Sequence, residues 1–415
     1  MRRNAALATT FLGLLGALVV GQVLLQRSAT AQDGARRMAP RFEVDPFWPK
    51  PLPSGEILGP TIGIGVDARD HVWVVHRNDR GFTERTEIGL ATIPPTAELC
   101  CKPAAPVLHF DPAGNLVSSF GGKGQGYDWP ESNHGITIDH KGNLWIGGNG
   151  DGDSHILKFT QDGKLLAQFG KPKARLAQQD GDPKTEGDQP VYAGNSHDPA
   201  NFGRVAKIFI DAKANEAYLA DGYLNKRVAV IDADTGKLKR YWGAYGNKPD
   251  DKDLGRYDPD APPAQQFRNP VHCAELANDG FLYVCDRAND RIQVFKTDGT
   301  FVKETFLLKR TLGDGSVWDI ALSRDPAQQF LYVADGKNER VHILERASLE
   351  VLTSFGDGGR QPGQFFGVHS IATDSQGNIY TTETYEGKRI QKFVYKGLAP
   401  VTAPQQGVPW PKTEG

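Results

Sequence analysis

From about residue 60 onward, short apolar runs alternate with clusters of Gly, Asn and Asp. The runs are four to eight residues long and rich in Val, Ile, Tyr and Phe. Runs of this length and composition, bounded by turn residues, predict β-strands joined by hairpins. No long segment after residue 32 carries the 3.6-residue apolar period of a helix. The runs also recur as a unit: apolar strand, Asp-x-x-Gly-Asn turn, apolar strand, polar loop, apolar strand, Asp-Gly turn, apolar strand. His134 to Gly170 shows it in full, and Val271 to Leu307 repeats it. Further copies start near Ala206, Val317 and Val368, and a diverged first copy starts near Ile62 and finishes at Val107 to Phe120. Units of four strands and roughly 40 residues predict an all-β fold, a six-bladed β-propeller whose radial packing leaves only short edges. A linear solenoid of the same units is the alternative.

The sixth unit supplies only about three strands before the chain becomes Pro-rich near Pro400. The segment Arg41 to Asp45 is placed to add the missing outer strand, which closes the ring and removes an open edge. The stretches Gly81–Ala105, Lys171–Arg204 and Ala244–Gln266 are rich in Asp, Gly, Pro and Lys and read as surface loops, some over one face. The expected division is residues 1–31 as a signal peptide, 32–400 as the propeller and 401–415 as a Pro-rich C-terminal tail. The signal reading rests on Arg2 and Arg3, the apolar stretch from Ala5 to Leu25, and the small-x-small step Ala29-Thr30-Ala31. It places the body in a secreted or periplasmic setting. An uncleaved N-terminal anchor is the alternative. No second apolar run approaches the roughly 18 residues of a membrane span.

Composition narrows the function classes. The 47 glycines and 27 prolines of the 415 residues suit many tight turns and fall short of the roughly 25–30% of low-complexity chains. A net charge of −2 gives no basic surplus for nucleic acid or an anionic membrane. Two methionines argue against a Met-rich docking groove and against Met-based copper chemistry. The four cysteines form no paired C-x-x-C knuckles, so a structural zinc site is not expected. Cys273 and Cys285 flank the turn Asn278-Asp279-Gly280; a hairpin closed there sets them face to face. A cross-strand disulfide and two buried thiols both remain open.

Aligned on their first strands, the six units carry Ile62, His134, Ala206, His272, Trp318 and His369 at one position. Histidine thus falls on alternate blades, two, four and six. In a six-fold ring these positions lie about 120° apart around the central channel, at one height. Three imidazoles converging there form a three-ligand site with open coordination positions, which suits catalytic zinc and also iron or copper. Three polar plugs filling the channel are the alternative. The other histidines, His71, His109, His140, His155, His197 and His342, show no such pattern and read as surface or core residues. The loops that return to the histidine face carry Arg77, Tyr223 and Arg287. Arginine clamps carboxylates, and tyrosine serves as a base or as a partner to an oxygen at the metal. An Asp-Arg brace between blades is the other reading of Arg287.

The units resemble NHL repeats. The chain from about Phe47 to Tyr395 resembles the peptidyl-α-hydroxyglycine α-amidating lyases. The resemblance is carried by Asn133-His134-Gly135-Ile136, Val271-His272-Cys273 and Val368-His369-Ser370, together with Val75-His76-Arg77-Asn78-Asp79 and Asp221-Gly222-Tyr223-Leu224-Asn225-Lys226-Arg227. The string from Asp286 to Asp298 extends it. It implies a zinc ion on His134, His272 and His369, with Tyr223 and Arg77 as catalytic residues; the place of Arg287 on the same face makes it the expected substrate contact. The implied reaction is C–N cleavage of a peptidyl-α-hydroxyglycine, or a related carbinolamide, to an amide plus glyoxylate. Iron or another divalent metal is the alternative to zinc. Gly367 and Val368 stand where the family often has Met-Pro, and Ser370 replaces an Asp associated with structural calcium, so calcium is not expected.

Two other classes stay in view. A non-catalytic propeller binding protein or glycan across one face predicts no stoichiometric metal. A metalloenzyme with the same site and a different small substrate predicts bound metal without activity on hydroxyglycine peptides.

Overall fold

The computed structural model describes residues 37–411, apart from 54 and 180. The signal reading of residues 1–31 and the end of the tail, 412–415, lie outside the described residues. The described chain is strand and loop with three short 3-10 turns and no α-helix. Six four-stranded antiparallel sheets follow one another along the chain, one for each repeat unit. Their innermost strands are Thr61–Val66, Asn133–Ile138, Val205–Asp211, Val271–Leu276, Asp319–Leu322 and Val368–Thr373.

The turn chemistry explains the repeat. In blade two the Asp139 carboxylate accepts the backbone N–H groups of Lys141 and Asn143, the Asn143 amide and the Trp145 indole. Gly142 takes the left-handed conformation, φ +80°, that the turn needs. Asp374 does the same in blade six for Gln376, Asn378 and Tyr380. An aspartate here satisfies backbone donors that a tight turn would otherwise leave unpaired. In blade four the turn sets Cys273 opposite Cys285, and the two are joined as a disulfide.

The core lies between blades. Val228, Val230 and Trp242 of blade three pack with Leu282, Val284 and Phe295 of blade four, and the other interfaces repeat the arrangement. At the axis the inner strands approach so closely that a Cβ on Gly135 would stand 2.5 Å from the Ala206 carbonyl. Fully buried pairs, Asp221–Arg227 at 2.8 Å and Asp286–Arg291 at 2.7 Å, and a partly buried one, Glu383–Arg389 at 2.9 Å, tie the second strand to the third in blades three, four and six.

The ring closes through its ends. Met38–Asp45 pairs antiparallel with Arg389–Pro400 as the outer strand of blade six, in the register Phe42↔Tyr395 and Val44↔Phe393. Phe42 is buried among Tyr332, Phe355 and Tyr395. Residues 401–411 continue along the rim: Ser354 N–H donates to Pro404 O at 2.9 Å and Val44 N–H to Pro409 O at 3.2 Å. The insertions pack on the histidine face. Glu56–Ile57 pairs with Lys102–Pro103, two two-residue hairpins lie within 178–190, and Ser196 bonds Asp251.

Phe42→Ala should cost about 3–5 kcal/mol in equilibrium urea unfolding, because it opens a cavity in the closing blade. Val351→Ala, at an exposed outer-strand position, should change stability by about 0.5 kcal/mol or less. Equal effects would show that the closing strand does not hold the ring.

Candidate metal centre

The structure brings His134, His272 and His369 together from blades two, four and six. Each is second in its inner strand, so the fold places all three at one height. Their ring centroids form a nearly equilateral triangle with sides of 5.0, 4.9 and 5.0 Å. One ligand nitrogen from each lies within 4.8 Å of the others.

The next blade orients each ring. His134 Nδ1 meets the Ala206 carbonyl at 2.7 Å, His369 Nδ1 meets Ile62 O at 2.7 Å, and His272 Nδ1 meets Trp318 O. These acceptors occupy the position equivalent to the histidines on blades three, one and five. A carbonyl can only accept, so each Nδ1 carries the proton and each Nε2 keeps its lone pair. All three rings are buried. Burial is the main cause that lowers their pKa: His369, with Arg287 and Arg77 adding to it, to about 3, and His134 and His272, where neighbouring imidazoles and arginine add to it, well below the ordinary value.

Tyr223 Oη lies 3.0 Å from His134 Nε2 and 3.0 Å from His272 Nε2. Its single proton can serve only one of those lone pairs. Convergent buried acceptors short of donors, with fixed tautomers and carbonyl partners on the far nitrogens, fit a divalent cation. Among the described residues this trio and the group Asp67, His71 and His109 are the sets with ligand spacing.

The arginines divide their contacts. Arg287 donates to Tyr223 Oη at 3.2 Å, lies over Trp318 with its charge 4.7 Å from the ring centroid, and is 3.5 Å from the half-exposed Asp314. Arg77 donates to Asn149 Oδ1 at 3.0 Å, and its nearest charge partners include Tyr223. The hydrogen bond to the Tyr223 oxygen comes from Arg287, and Arg77 bonds Asn149 instead. The Nε–H of both arginines is buried without a partner. The carboxylate–arginine pairs within blades use Arg227, Arg291 and Arg389, whereas Arg287 combines its contact to Tyr223 with the pair to Asp314 in the segment that leads to blade five.

Further along the channel is a polar layer that motif reading missed. Lys207 Nζ lies 2.7 Å from Asp319 Oδ1 and 2.6 Å from Glu275 Oε1, and Ser370 Oγ donates to Asp319 Oδ2 at 2.8 Å. Burial alone would lower the Lys207 ammonium; the two carboxylates outweigh it and hold its pKa raised. An internal ammonium thus sits among the carboxylate oxygens next to Ser370. The signal was a lysine inside the apolar inner strand Val205–Asp211.

His71 and His109, read from sequence as ordinary surface or core residues, form a pair of their own. Their ring nitrogens are 2.7 Å apart, and His109 stacks on Trp73 and is lowered to about 4 by burial and by His71. One ring donates to the other. The Asp67 carboxylate is already taken by the backbone N–H groups of Arg69 and His71, the Arg69 guanidinium and the Trp73 indole.

No protein-family model matches the chain. The sequence is distantly similar to amidating monooxygenases. Peptidyl-glycine alpha-amidating monooxygenase A of Xenopus laevis is 26% identical over 253 residues, 60% of this chain and 22% of the relative. Peptidylglycine alpha-amidating monooxygenase of Rattus norvegicus is 23% identical over 345 residues, 79% of this chain and 30% of the relative. The chain spans less than a third of the length of either. A crystal structure of virginiamycin B lyase from Staphylococcus aureus aligns with a TM-score of 0.43 at 14% identity, covering 81% of this chain and 85% of that one. Among the described residues, no helix is long and apolar enough to cross a membrane.

Metal analysis after dialysis against zinc should find one equivalent per chain, lost in His272→Ala. One equivalent retained by that variant would place the metal elsewhere. His76 offers a pH test. Its Nδ1 accepts the Gly59 N–H, its Nε2 donates to Ala105 O, and burial lowers it to about 4. Protons then favour the unfolded chain between the ordinary 6.5 and about 4, so this contribution is complete above pH 6.5 and is lost as pH falls to 4. Wild type should lose up to about 3 kcal/mol more than His76→Asn over that window in urea titrations. Parallel curves would contradict a neutral buried His76.

Proposed function

We propose that the protein is a metal-dependent carbon–nitrogen lyase. It cleaves a peptidyl-α-hydroxyglycine, or a related carbinolamide, to an amide and glyoxylate. The observation that carries this reading is the Tyr223 hydroxyl, held between two Nε2 atoms of a three-histidine cluster and bonded by Arg287. The distant similarity to amidating monooxygenases, over up to 79% of this chain, supports the same class of substrate.

His134, His272 and His369 would hold a divalent cation, zinc in the first instance. When bound, it supplies Lewis acidity to the substrate hydroxyl. Tyr223, as the phenolate after its own proton has passed to solvent, is placed to take the hydroxyl proton, and the Arg287 guanidinium stabilises negative charge on the same oxygen. The C–O bond then becomes the aldehyde C=O of glyoxylate as the C–N bond breaks. Its electron pair goes to nitrogen, and Tyr223 returns the proton there, so the amide leaves neutral and no redox cofactor enters. Arg77, with its unpartnered Nε–H, is the group for the substrate carboxylate. An anion beside it offsets the positive charge that two arginines and a cation bring to one buried site.

The zinc-loaded protein should release glyoxylate from an N-acyl-α-hydroxyglycine. Tyr223→Phe should lower kcat by about 10²–10⁴ while keeping the metal, and His272→Ala should lose both. No release by a fully zinc-loaded wild type would remove the lyase assignment. Full activity in Tyr223→Phe would remove the base.

A further inference from the structure

Blade one departs from the turn pattern of its neighbours in two places. In blade two, Asn143 Nδ2 donates to Asp139 Oδ2 at 3.0 Å. Lys158, paired with Trp145 across the strands, holds its ammonium 4.5 Å from the indole centroid and 3.7 Å from the same oxygen. Blade six repeats the scheme: Asn378 donates to Asp374, and Lys392, paired with Tyr380, lies over that ring. In blade one, His71 stands at the asparagine position, and His109, paired with Trp73, stands at the lysine position. The amide donor and the third-strand cation of this turn are thus both replaced by imidazoles.

The two imidazoles converge beside the Asp67 carboxylate. His71 Nδ1 and His109 Nε2 are 2.7 Å apart, and each lies within 4.8 Å of an Asp67 oxygen. His109 is buried and stacked on Trp73 at 3.8 Å, with Nδ1 3.1 Å from Ser118 Oγ, which orients the ring. His71 is half-buried and gives the cluster its access to solvent. Asp67 Oδ1 accepts the backbone N–H groups of Arg69 and His71. Oδ2 is held more loosely, by the Trp73 indole at 3.3 Å and the Arg69 guanidinium at 3.2 Å. The Arg69 side chain is 58% exposed and is shared with Gln161, so an entering cation can replace it on that oxygen. The nitrogen spacing selects the cation. At about 2.0–2.1 Å from a metal, two nitrogens lie about 2.9 Å apart at a right angle and about 3.3 Å apart at the tetrahedral angle. The spacing of 2.7 Å is close to the first and well short of the second. Tetragonal copper(II) therefore enters with little movement, whereas tetrahedral zinc must push the rings apart. Each neutral imidazole carries one N–H, so placing it on the far nitrogen of each ring leaves both inward lone pairs free.

We propose that Asp67, His71 and His109 form a second cation site, which binds copper(II). The turn that carries it follows the inner strand Thr61–Val66, at the end away from Ile62, so the site lies on the face opposite the three-histidine centre. Two imidazole nitrogens and one carboxylate oxygen supply three in-plane ligands, and water completes the plane. The ion joins the turn to the third strand, as Asn143 and Lys158 do in blade two. The site shares no residue with the lyase reading and does not depend on it.

Titration of copper(II) into the zinc-loaded full chain tests it, followed by electron paramagnetic resonance and by a dye that reports released zinc. Wild type should take up one equivalent without releasing zinc, and its axial spectrum should show coupling to two imidazole nitrogens. His71→Asn and His109→Lys install the residues that blade two carries at the same places, so the turn keeps its own chemistry. Each should weaken copper binding by about tenfold or more while the zinc content stays unchanged. The wild-type spectrum stands by itself if a variant fails to fold: coupling to fewer or more than two imidazoles would overturn the site. So would no uptake, uptake only with release of zinc, or affinity unchanged in either variant. Uptake lost in His272→Ala and kept in His71→Asn would place the copper at the three histidines and equally overturn it.

Discussion

The site depends on one repeated contact, an imidazole Nδ1–H on an even blade donating to the carbonyl of the equivalent residue on the next blade. His134 meets Ala206, His272 meets Trp318, and His369 meets Ile62. The contact does two things at once. It joins blades at the axis, where a buried donor without a partner would be costly. It also fixes the tautomer, so three lone pairs face one point. The odd blades, with Ile62, Ala206 and Trp318 at that position, supply the accepting carbonyls. The alternation visible in the sequence is therefore a division between donors and acceptors around the ring.

Charge around that point is arranged in layers. Burial keeps the three imidazoles neutral, and the arginines above them act in the same direction. Along the channel, Asp319 and Glu275 face Lys207 and compensate one another at short range. A cation at the histidines would add to the field of Arg77 and Arg287. Only an anion above it, whether a phenolate or a substrate carboxylate, balances that field in a medium of low dielectric. The same architecture thus favours metal and anionic ligand together over either alone.

The fold was legible because it is repeated. The Asp-x-x-Gly-Asn turns set period and register, and the Asp139 and Asp374 hydrogen bonds show why those residue types recur. The outer strand Met38–Asp45 was legible from the deficit of one strand in the last unit, since a propeller leaves no blade open. The histidine convergence was legible for the same reason: equivalent positions in equivalent strands meet at the axis. What lay beyond the sequence is what symmetry does not govern. Arg77 and Arg287 sit on non-equivalent loops, and only the side-chain geometry shows that Arg287 reaches Tyr223. The His71–His109 pair joins a turn to a third strand, a contact that no periodicity announces. Lys207 finds its carboxylates on two other blades.

X-ray absorption at the zinc edge of the metal-loaded protein tests the central claim most directly, because it reports ligand type and number without reference to any substrate. The structure predicts three imidazole nitrogens at about 2.0–2.1 Å with the outer-ring scattering of histidine, and one further light-atom ligand. Loss of that imidazole signature in His134→Ala would complete the agreement. A spectrum without histidine scattering, or one unchanged in that variant, would contradict a metal centre built from alternate blades.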